Sequence, residues 1–332
     1  MAVDNVTILD RVWLNGSNDF QQRISRPTQA NIAATQAAIF NPRNLDLYNS
    51  FVNALVNRIG ATIVHSDNWV NPLGVFKKGQ LIYGDKVQEI AVKWIKSHSY
   101  IDDAEEVFKN YRPDASVWYH EVNRKEYYPI TVNRDELAEA FVDEYGLNAF
   151  LSAILTVPRN SDNYDEYRIM LELIAFYEQN FGFYKQQVAD PVDETTAKAF
   201  LTELRAYAGM VQFPSTLYNS GNIPDIPVFA KNDELVILMT PRTRAVIDVQ
   251  ALAAAFNIDY ADVQQRIVMV DEFPIPNVVA LLTTQDFFQS RDKLYTTTSA
   301  QNPLTLGTNY FLHHWSLHSV SPFAPAILFT KA

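Results

Sequence analysis

Residues 74–98 read GVFKKGQLIYGDKVQEIAVKWIKSH, and this stretch decides the fold. Its side chains alternate along the chain, which is typical of a β-strand. It holds three of the chain's ten glycines, Gly74, Gly79 and Gly84, and five lysines. Because an isolated two-stranded hairpin is marginally stable in water, the ribbon needs a surface to pack against. The three glycines would let it bend or adjust to different surroundings.

The sequence from residue 61 to 132 continues the ribbon's character. Short β-like runs, ATIVH, QEIAVKWI, SVWYHEV and EYYPITV, are separated by Gly, Pro and the acidic stretch IDDAEEVF. This pattern predicts a long excursion built from hairpin strands.

The charges of the ribbon suggest what it could contact. Its lysines outnumber its acidic residues, whereas the following DDAEE and the later RDELAEAFVDE are acidic, so a second copy of the chain could supply a complementary surface. The lysines are Lys77, Lys78, Lys86, Lys93 and Lys96. Ile90, Val92 and Trp94 would then supply much of the contact energy. The alternative is a hairpin lying on its own domain, and composition alone favours neither.

The composition of the chain excludes several classes of protein and of functional site. The chain has 332 residues, 48% of them hydrophobic, which is enough for one large or two medium domains. The lack of cysteine excludes disulfides, thiolate zinc sites and a cysteine nucleophile. No signal peptide or membrane-spanning stretch is recognisable, so a cytoplasmic product with no membrane contact is expected. The net charge of -11 disfavours specific nucleic-acid binding, although an acidic wall could still enclose DNA.

Other segments predict helices and a mixed α/β region. Two helices are predicted between residues 26 and 60, one from about 133 to a stop at Pro158, and one from about 164 to 181 with Gly182 as its C-cap. After residue 190, helical and strand-like segments alternate, which indicates a mixed α/β layer. The chain closes with strand-like NYFLHHWSLHSV and PAILFTKA.

Motifs for catalysis or cofactor binding are weak. Gly74 and Gly79 have P-loop spacing, but Gln80 and Leu81 stand where phosphate and magnesium ligands are needed. His314 and His318 would lie about 13 Å apart along a strand, so packed histidines are favoured over a metal site that also includes His313. The acidic residues 102–106 lack an EF-hand pattern, and no hydrolase, dinucleotide or zincin motif is present. No cofactor or metal is expected.

The order of elements resembles a tailed-phage major capsid protein with the HK97-like fold. Four stretches are similar to major head proteins of phi29-like short-tailed phages: NPLGVFKKGQLIYGDKVQEI, YHEVNRKEYYPITV, DVQALAAAFNIDYADV and HHWSLHSVSPFAPAILF. The resemblance extends over nearly the whole chain and implies an α+β fold with an N-terminal arm, an E-loop hairpin, a P-domain with a spine helix and long strands, and an α/β A-domain. The implied boundaries are 1–62 for the arm, 63–132 for the E-loop, 133–190 for the P-domain, 191–305 for the A-domain and 306–332 for the closing P-domain strands.

The resemblance also implies a function. Copies would assemble as pentamers and hexamers into an icosahedral virion shell around double-stranded DNA, built in the host cytoplasm with a scaffolding protein and a portal. In this interpretation the E-loop lies across the neighbouring subunit, with Lys77, Lys78, Lys86, Ile90, Val92 and Trp94 as contacts. Deleting residues 76–96 would leave a folded chain that forms no shells. A C-terminal immunoglobulin-like domain and covalent cross-links are not expected.

Two other functions are also compatible with the sequence. The first is another virion component that forms a single ring or tube. The second is a cytoplasmic enzyme whose site is assembled from scattered polar residues, which would show a discrete small oligomer and a pocket.

Overall fold

The computed structural model describes residues 4–14, 16–41, 43–44, 46–52, 54, 69–99, 109–133, 146–219, 226–247, 266–302, 304 and 307–331. The helices are α1 (Asn5–Leu14), α2 (Asn18–Arg23), α3 (Ile32–Ile39), α4 (residues 46–52), α5 (Gly146–Asn180), α6 (Glu194–Met210) and α7 (Pro241–Val246). The strands are β1 (Lys77–Gln80), β2 (Lys86–Val92), β3 (Ala115–Glu121), β4 (Arg124–Val132), β5 (Tyr184–Val188), β6 (Leu235–Met239), β7 (Ile267–Met269), β8 (Val278–Thr284), β9 (Phe288–Gln301), β10 (Thr308–Val320) and β11 (Ile327–Lys331). Short 3₁₀ turns cover Pro72–Phe76 and Asn232–Glu234.

The chain divides into two compact units. The first unit comprises Met1–Val70, Glu126–Asp165 and Tyr295–His314, and the second comprises Asn71–Lys125, Glu166–Leu294 and Trp315–Ala332. A four-stranded sheet has the order β1-β9-β10-β4, and its two long strands contribute residues to both units. The boundaries predicted for the arm, the E-loop, the P-domain and the A-domain, at residues 62, 132, 190 and 305, remain predictions.

The first unit has a core built by its N-terminal helices. Ile8, Leu9 and Val12 lie on one face of α1 because their spacing follows the helical repeat. They share a buried cluster with residues of α2, α3, α4, β4 and β10. The members from those elements include Phe20, Ile39, Tyr48, Phe51, Val132 and Tyr310. The helices predicted between residues 26 and 60 are confirmed for α3 and α4, whereas α1 and α2 were not predicted.

The second unit is an α/β/α sandwich around a five-stranded sheet with the order β5-β11-β8-β6-β7. β11 pairs parallel with β5 and antiparallel with β8. The side chains of β6 are all buried and alternate between two clusters, because successive residues of a strand point to opposite faces. One cluster contains residues of α6 and the other contains residues of the second half of α5. The α/β layer predicted after residue 190 is therefore confirmed.

The long helix α5 corrects one prediction. Pro158 was expected to end a helix, with a second helix beginning near residue 164, but Gly146–Asn180 is one helix of 35 residues with Pro158 inside it. Proline removes one backbone hydrogen bond. The helix continues because Tyr167, Met170, Ile174 and Tyr177 bury a stripe against the sheet. Gly182 follows at φ 77°, and its N–H donates to the carbonyl of Tyr177, as the predicted C-cap requires.

Several predicted segments lie outside the described residues. These are the end of the second N-terminal helix, the ATIVH run, the acidic stretch IDDAEEVF, the helix start near residue 133, and the helices DVQALAAAFN and DYADVQQR. The strands predicted from the ribbon, from SVWYHEV, EYYPITV, ELVILMTP, IVMVDEF and NVVALLTT, and from the two closing runs are confirmed. β5 and β9 were not predicted. Among the described helices, none is long and apolar enough to cross a membrane.

The buried tyrosines of α5 give a test of the second unit's core. The hydroxyl of Tyr177 has no hydrogen-bond partner among the described residues and its side chain is 1% exposed, so burial raises the pKa of Tyr177. A buried polar group without a partner destabilises the fold. We therefore expect Tyr177→Phe to leave the free energy of unfolding unchanged or to raise it by up to about 1 kcal/mol in urea denaturation.

Tyr167, at the other end of the same buried stripe of α5, is the matched control. Its hydroxyl donates to a carboxylate oxygen of Asp271 and accepts from the backbone N–H of Asp271. Tyr167→Phe should therefore lower the free energy of unfolding by about 1 kcal/mol or more. Equal losses in the two variants would contradict the assigned environments.

Candidate functional site

The ribbon's strand β2 pairs antiparallel with β3 to form a separate two-stranded sheet, which we call the hairpin. Lys86 lies opposite Glu121, Ile90 opposite Val117, and Val92 opposite Ala115. Since side chains alternate along both strands, this register gives the hairpin an inner face and an outer face. Burial follows the same alternation, with every second residue of each strand more exposed than its neighbours.

The outer face is apolar and exposed. The exposed fractions are 56% for Ile90, 49% for Val92, 41% for Val117 and 57% for Tyr119. Ile90 and Val117 form a direct cross-strand pair, so these residues make one continuous stripe. Lys86 pairs with Glu121 at the end of the stripe, and hydrogen bonding to Glu121 raises the pKa of Lys86. A continuous exposed apolar stripe on a hairpin indicates a contact surface.

Polar groups hold the inner face of the hairpin against the rest of the second unit. His120 is buried, with its Nδ1 2.8 Å from the Ser319 hydroxyl and its Nε2 3.0 Å from Glu89 Oε2. The Ser321 hydroxyl donates to Glu89 Oε1 at 2.7 Å. These bonds connect β2 and β3 to the end of β10, so the hairpin is partly supported by its own chain.

Further contacts lie around the base of the hairpin. Trp118 packs edge-on against Phe181 with ring centroids 5.3 Å apart. The side chain of Asn123 bonds both the backbone N–H and the carbonyl of His318, as a neighbouring strand would. Lys293 donates to the Gly84 carbonyl at 2.6 Å. The sequence allowed two interpretations, and one of them was a hairpin lying on its own domain. The contacts of the inner face agree with that interpretation. The outer face is exposed.

The six predicted contact residues fall into two groups. Ile90 and Val92 lie on the outer face, together with Val117 and Tyr119, which the sequence reasoning did not single out. Trp94 follows β2, is 56% exposed, and has its ring centroid 6.5 Å from that of Phe229 in the same unit. The lysines are engaged within the chain. Whether any of the six contacts another subunit stays a prediction.

Lys77 pairs with two carboxylates. Its Nζ lies 3.0 Å from Glu166 on α5 and 2.9 Å from Asp292 on β9, and the Glu166 side chain is 3% exposed. Burial alone would lower the pKa of Lys77, but the two carboxylates outweigh it and the pKa is raised above 10.5. Lys78 pairs with Asp286 at 2.5 Å, whose side chain is largely exposed. Lys77 therefore anchors the start of the ribbon to the second unit.

The three predicted hinge glycines differ in conformation. Gly79 and Gly84 have φ of 79° and 68°, in the left-handed region, and a Cβ at either position would meet no atom of the described residues within 4 Å. Glycine is needed there for its backbone freedom. Gly74 lies within the 3₁₀ turn Pro72–Phe76 and its φ is not positive. The hinge role stays a prediction for all three.

The histidines lie on a strand, as predicted. His314 and His318 are four residues apart on β10 and both are buried. Nδ1 of His314 lies 2.7 Å from an Asp162 oxygen, and the two ring nitrogens of His318 lie within 2.9 Å of the Ser290 and Ser316 hydroxyls. Within the described ranges, no three His, Asp or Glu side chains are grouped to hold a metal ion. The acidic residues 102–106 lie outside those ranges.

Comparison with known proteins identifies the family to which this chain belongs. A family model for the phi29-like phage major capsid protein matches residues 11–330. The chain belongs to this family. It is 33% identical to the major capsid protein of Bacillus phage GA-1, over 86% of this chain and 61% of that protein. It is 30% identical to the major capsid protein of Bacillus phage PZA, over 99% of this chain and 73% of that protein. The chain thus spans less than two thirds of the GA-1 protein.

Solved structures confirm the predicted fold. The capsid structure of Staphylococcus phage Andhra aligns with a TM-score of 0.64 at 13% identity, covering 80% of this chain and 86% of that one. The capsid structure of Cyanophage P-SCSP1u aligns with a TM-score of 0.54 at 11% identity, covering 81% and 90%. The α+β architecture is therefore the HK97-like fold of tailed-phage capsids, as the resemblance of the sequence implied.

The two neighbouring lysines at the start of the ribbon provide a matched test. We expect Lys77→Met to lower the free energy of unfolding by about 3 kcal/mol, because the buried Glu166 carboxylate loses its ammonium partner. Lys78→Met should cost less than about 1 kcal/mol, since Asp286 is exposed. Urea denaturation at neutral pH measures both.

The pH dependence has a definite sign. Because the folded-state pKa of Lys77 is raised, its contribution is fully present below pH 10.5 and is lost as the pH rises through the folded-state value. The stability difference between Lys77→Met and the parent should therefore shrink in strongly alkaline solution. A difference that grows with alkaline pH would contradict the ion pair.

Proposed function

We propose that this chain is a structural subunit that assembles with copies of itself, as pentamers and hexamers, into an icosahedral shell. The observation that carries the proposal is the outer face of the hairpin, an exposed stripe of Ile90, Val92, Val117 and Tyr119 on an anchored two-stranded sheet. Membership of a major capsid protein family supports the same function. A neighbouring subunit covers this stripe in the assembled shell.

The hairpin face supplies only part of the interface. Permanent interfaces bury roughly 2,000 Å² or more, and a stripe of four side chains is smaller than one half of that. Other exposed apolar residues of the second unit, such as Phe213, Leu217 and Phe229, are available for the remainder. Trp94 joins the stripe to Phe229 and extends the contact beyond the paired strands. Lys77 and Lys78 contribute by fixing the ribbon on its own subunit.

The shell encloses double-stranded DNA without reading its sequence. The net charge of -11 keeps the wall from adhering to phosphates, since like charges repel. A scaffolding protein and a portal take part in assembly, which occurs in the host cytoplasm, and the finished protein resides in the virion capsid. The role is structural and involves no catalysis.

Removing the hairpin tests its role. The Val122 N–H donates to the Asp85 carbonyl at 2.9 Å, so the chain ends at residues 85 and 122 are already paired. Replacing residues 86–121 by an Asn-Gly turn should leave a folded chain, because such a turn joins paired antiparallel strands. We expect circular dichroism to remain native-like while electron microscopy and sedimentation show no shells. Normal shells from this variant would overturn the proposal.

This excision replaces the deletion of residues 76–96 that the sequence suggested. Phe76 is 1% exposed in the core of the second unit, and Lys77 holds the buried Glu166. That deletion would therefore remove part of the core together with the hairpin. If the shortened chain did not assemble, either loss could be the cause.

A single substitution on the outer face is a finer test. Ile90→Glu places a charge in the middle of the stripe, and burying it against a neighbour is unfavourable. We expect this variant to remain folded and to form at least about tenfold fewer shells in sedimentation, because the charge would be buried at every copy of the contact. Ile90→Leu, which keeps the face apolar, should assemble like the parent. Similar yields from both variants would contradict a buried outer face.

A further inference from the structure

A serine, a histidine and a carboxylate stand in line at the inner face of the hairpin. The Ser319 hydroxyl lies 2.8 Å from Nδ1 of His120, and Nε2 of His120 lies 3.0 Å from Oε2 of Glu89. The His120 side chain is 0% exposed, so its ring nitrogens are shielded from bulk water. A hydroxyl, an imidazole and a carboxylate in this order form the arrangement that activates a serine as a nucleophile.

The hydrogen bonds determine which nitrogen of His120 carries the proton. An ionised carboxylate only accepts, so Nε2 donates to Glu89 and Nδ1 accepts from the Ser319 hydroxyl. The Ser321 hydroxyl donates to the other oxygen of Glu89 at 2.7 Å and holds that carboxylate in place. Nδ1 is therefore placed to take the Ser319 proton, and the imidazolium that forms lies beside a negative charge.

A second serine–histidine group in the same unit provides a contrast. Both ring nitrogens of His318 lie within 2.9 Å of serine hydroxyls. Those serines, Ser290 and Ser316, are 1% and 0% exposed, whereas Ser319 is partly exposed. Ser319 thus combines a base, a carboxylate behind the base, and access to solvent.

We infer that Ser319 is a nucleophilic serine that accepts an acyl group from a carboxylic ester. Its Oγ bonds to the ester carbonyl carbon while its proton passes to Nδ1 of His120. The bond between that carbon and the alcohol oxygen then breaks, and the alcohol leaves with the proton from Nδ1. The product is a chain with an ester at Ser319. The inference therefore names a site of covalent modification and leaves the structural role of the subunit unchanged.

Diisopropyl fluorophosphate tests the nucleophile in the whole chain. Ser319 Oγ displaces fluoride from phosphorus, the proton passes to His120, and peptide mass spectrometry locates the adduct. We expect the adduct on Ser319 and none on Ser290 or Ser316. Unfolding in urea disperses the three groups, so Ser319 of the unfolded chain should react at least about 100-fold more slowly. An unlabelled Ser319 in the folded chain, or equal rates in the two states, would overturn the inference.

Substitutions separate the base from its positioning residue. His120→Gln removes the base and should lower the labelling rate at least about 100-fold. Glu89→Gln removes the charge beside the imidazolium and should lower the rate at least about tenfold. Ser321→Ala removes the other hydrogen bond of Glu89 but keeps its charge, so most of the rate should remain. Equal losses in Glu89→Gln and Ser321→Ala would contradict a chemical role of Glu89.

Glu121→Gln is the matched control for the charge. It makes the same change on the same hairpin, but Glu121 pairs with Lys86 on the outer face, so the labelling rate should be that of the parent. Nitrogen-15 NMR of the imidazole ring of His120 tests the proton position without any substitution, so it holds even if a variant does not fold. The proton should lie on Nε2. A proton on Nδ1 would leave Ser319 without a base and would overturn the inference.

Discussion

The antiparallel register of β2 and β3 determines which side chains of the hairpin face outward. Pairing Ile90 with Val117 and Lys86 with Glu121 places every outward side chain of one strand beside an outward side chain of the other. A shift of β2 by one residue relative to β3 would move Ile90 to the face of Trp118 and His120, and Glu89 to the face of Val117 and Tyr119. The polar bonds of the inner face and the apolar stripe of the outer face are therefore consequences of one pairing.

The rest of the second unit supports this hairpin at its base. Lys77 joins the start of the ribbon to α5 and β9, and the sandwich behind them buries both faces of the five-stranded sheet. The large core of the second unit thus stabilises the base of the hairpin, although the hairpin itself contributes few buried residues. This division explains how a two-stranded sheet persists in a single chain while keeping an apolar face uncovered.

Alternation of side chains allowed the hairpin strands to be predicted from sequence, but not the side that faces outward. SVWYHEV has the period of a strand, yet only the pairing register shows that Val117 and Tyr119 join Ile90 rather than Trp118 and His120. The lysines seemed available to a partner because their carboxylates, Glu166, Asp286 and Asp292, are distant in sequence. Pro158 was predicted to end a helix, as proline usually does. The helix continues through it because the apolar stripe that follows is buried. The apolar spacing of Ile8, Leu9 and Val12 on α1 could have been recognised.

Hydroxyl-radical footprinting of unassembled chain and purified shells shows whether the outer face of the hairpin is covered in the shell. Trp118 and Tyr119 are adjacent in sequence, and their side chains point to opposite faces of the hairpin. If the outer face is the contact between subunits, oxidation of Tyr119 falls sharply on assembly while oxidation of Trp118 changes little. Equal reactivity of Tyr119 in chain and shell would contradict the account.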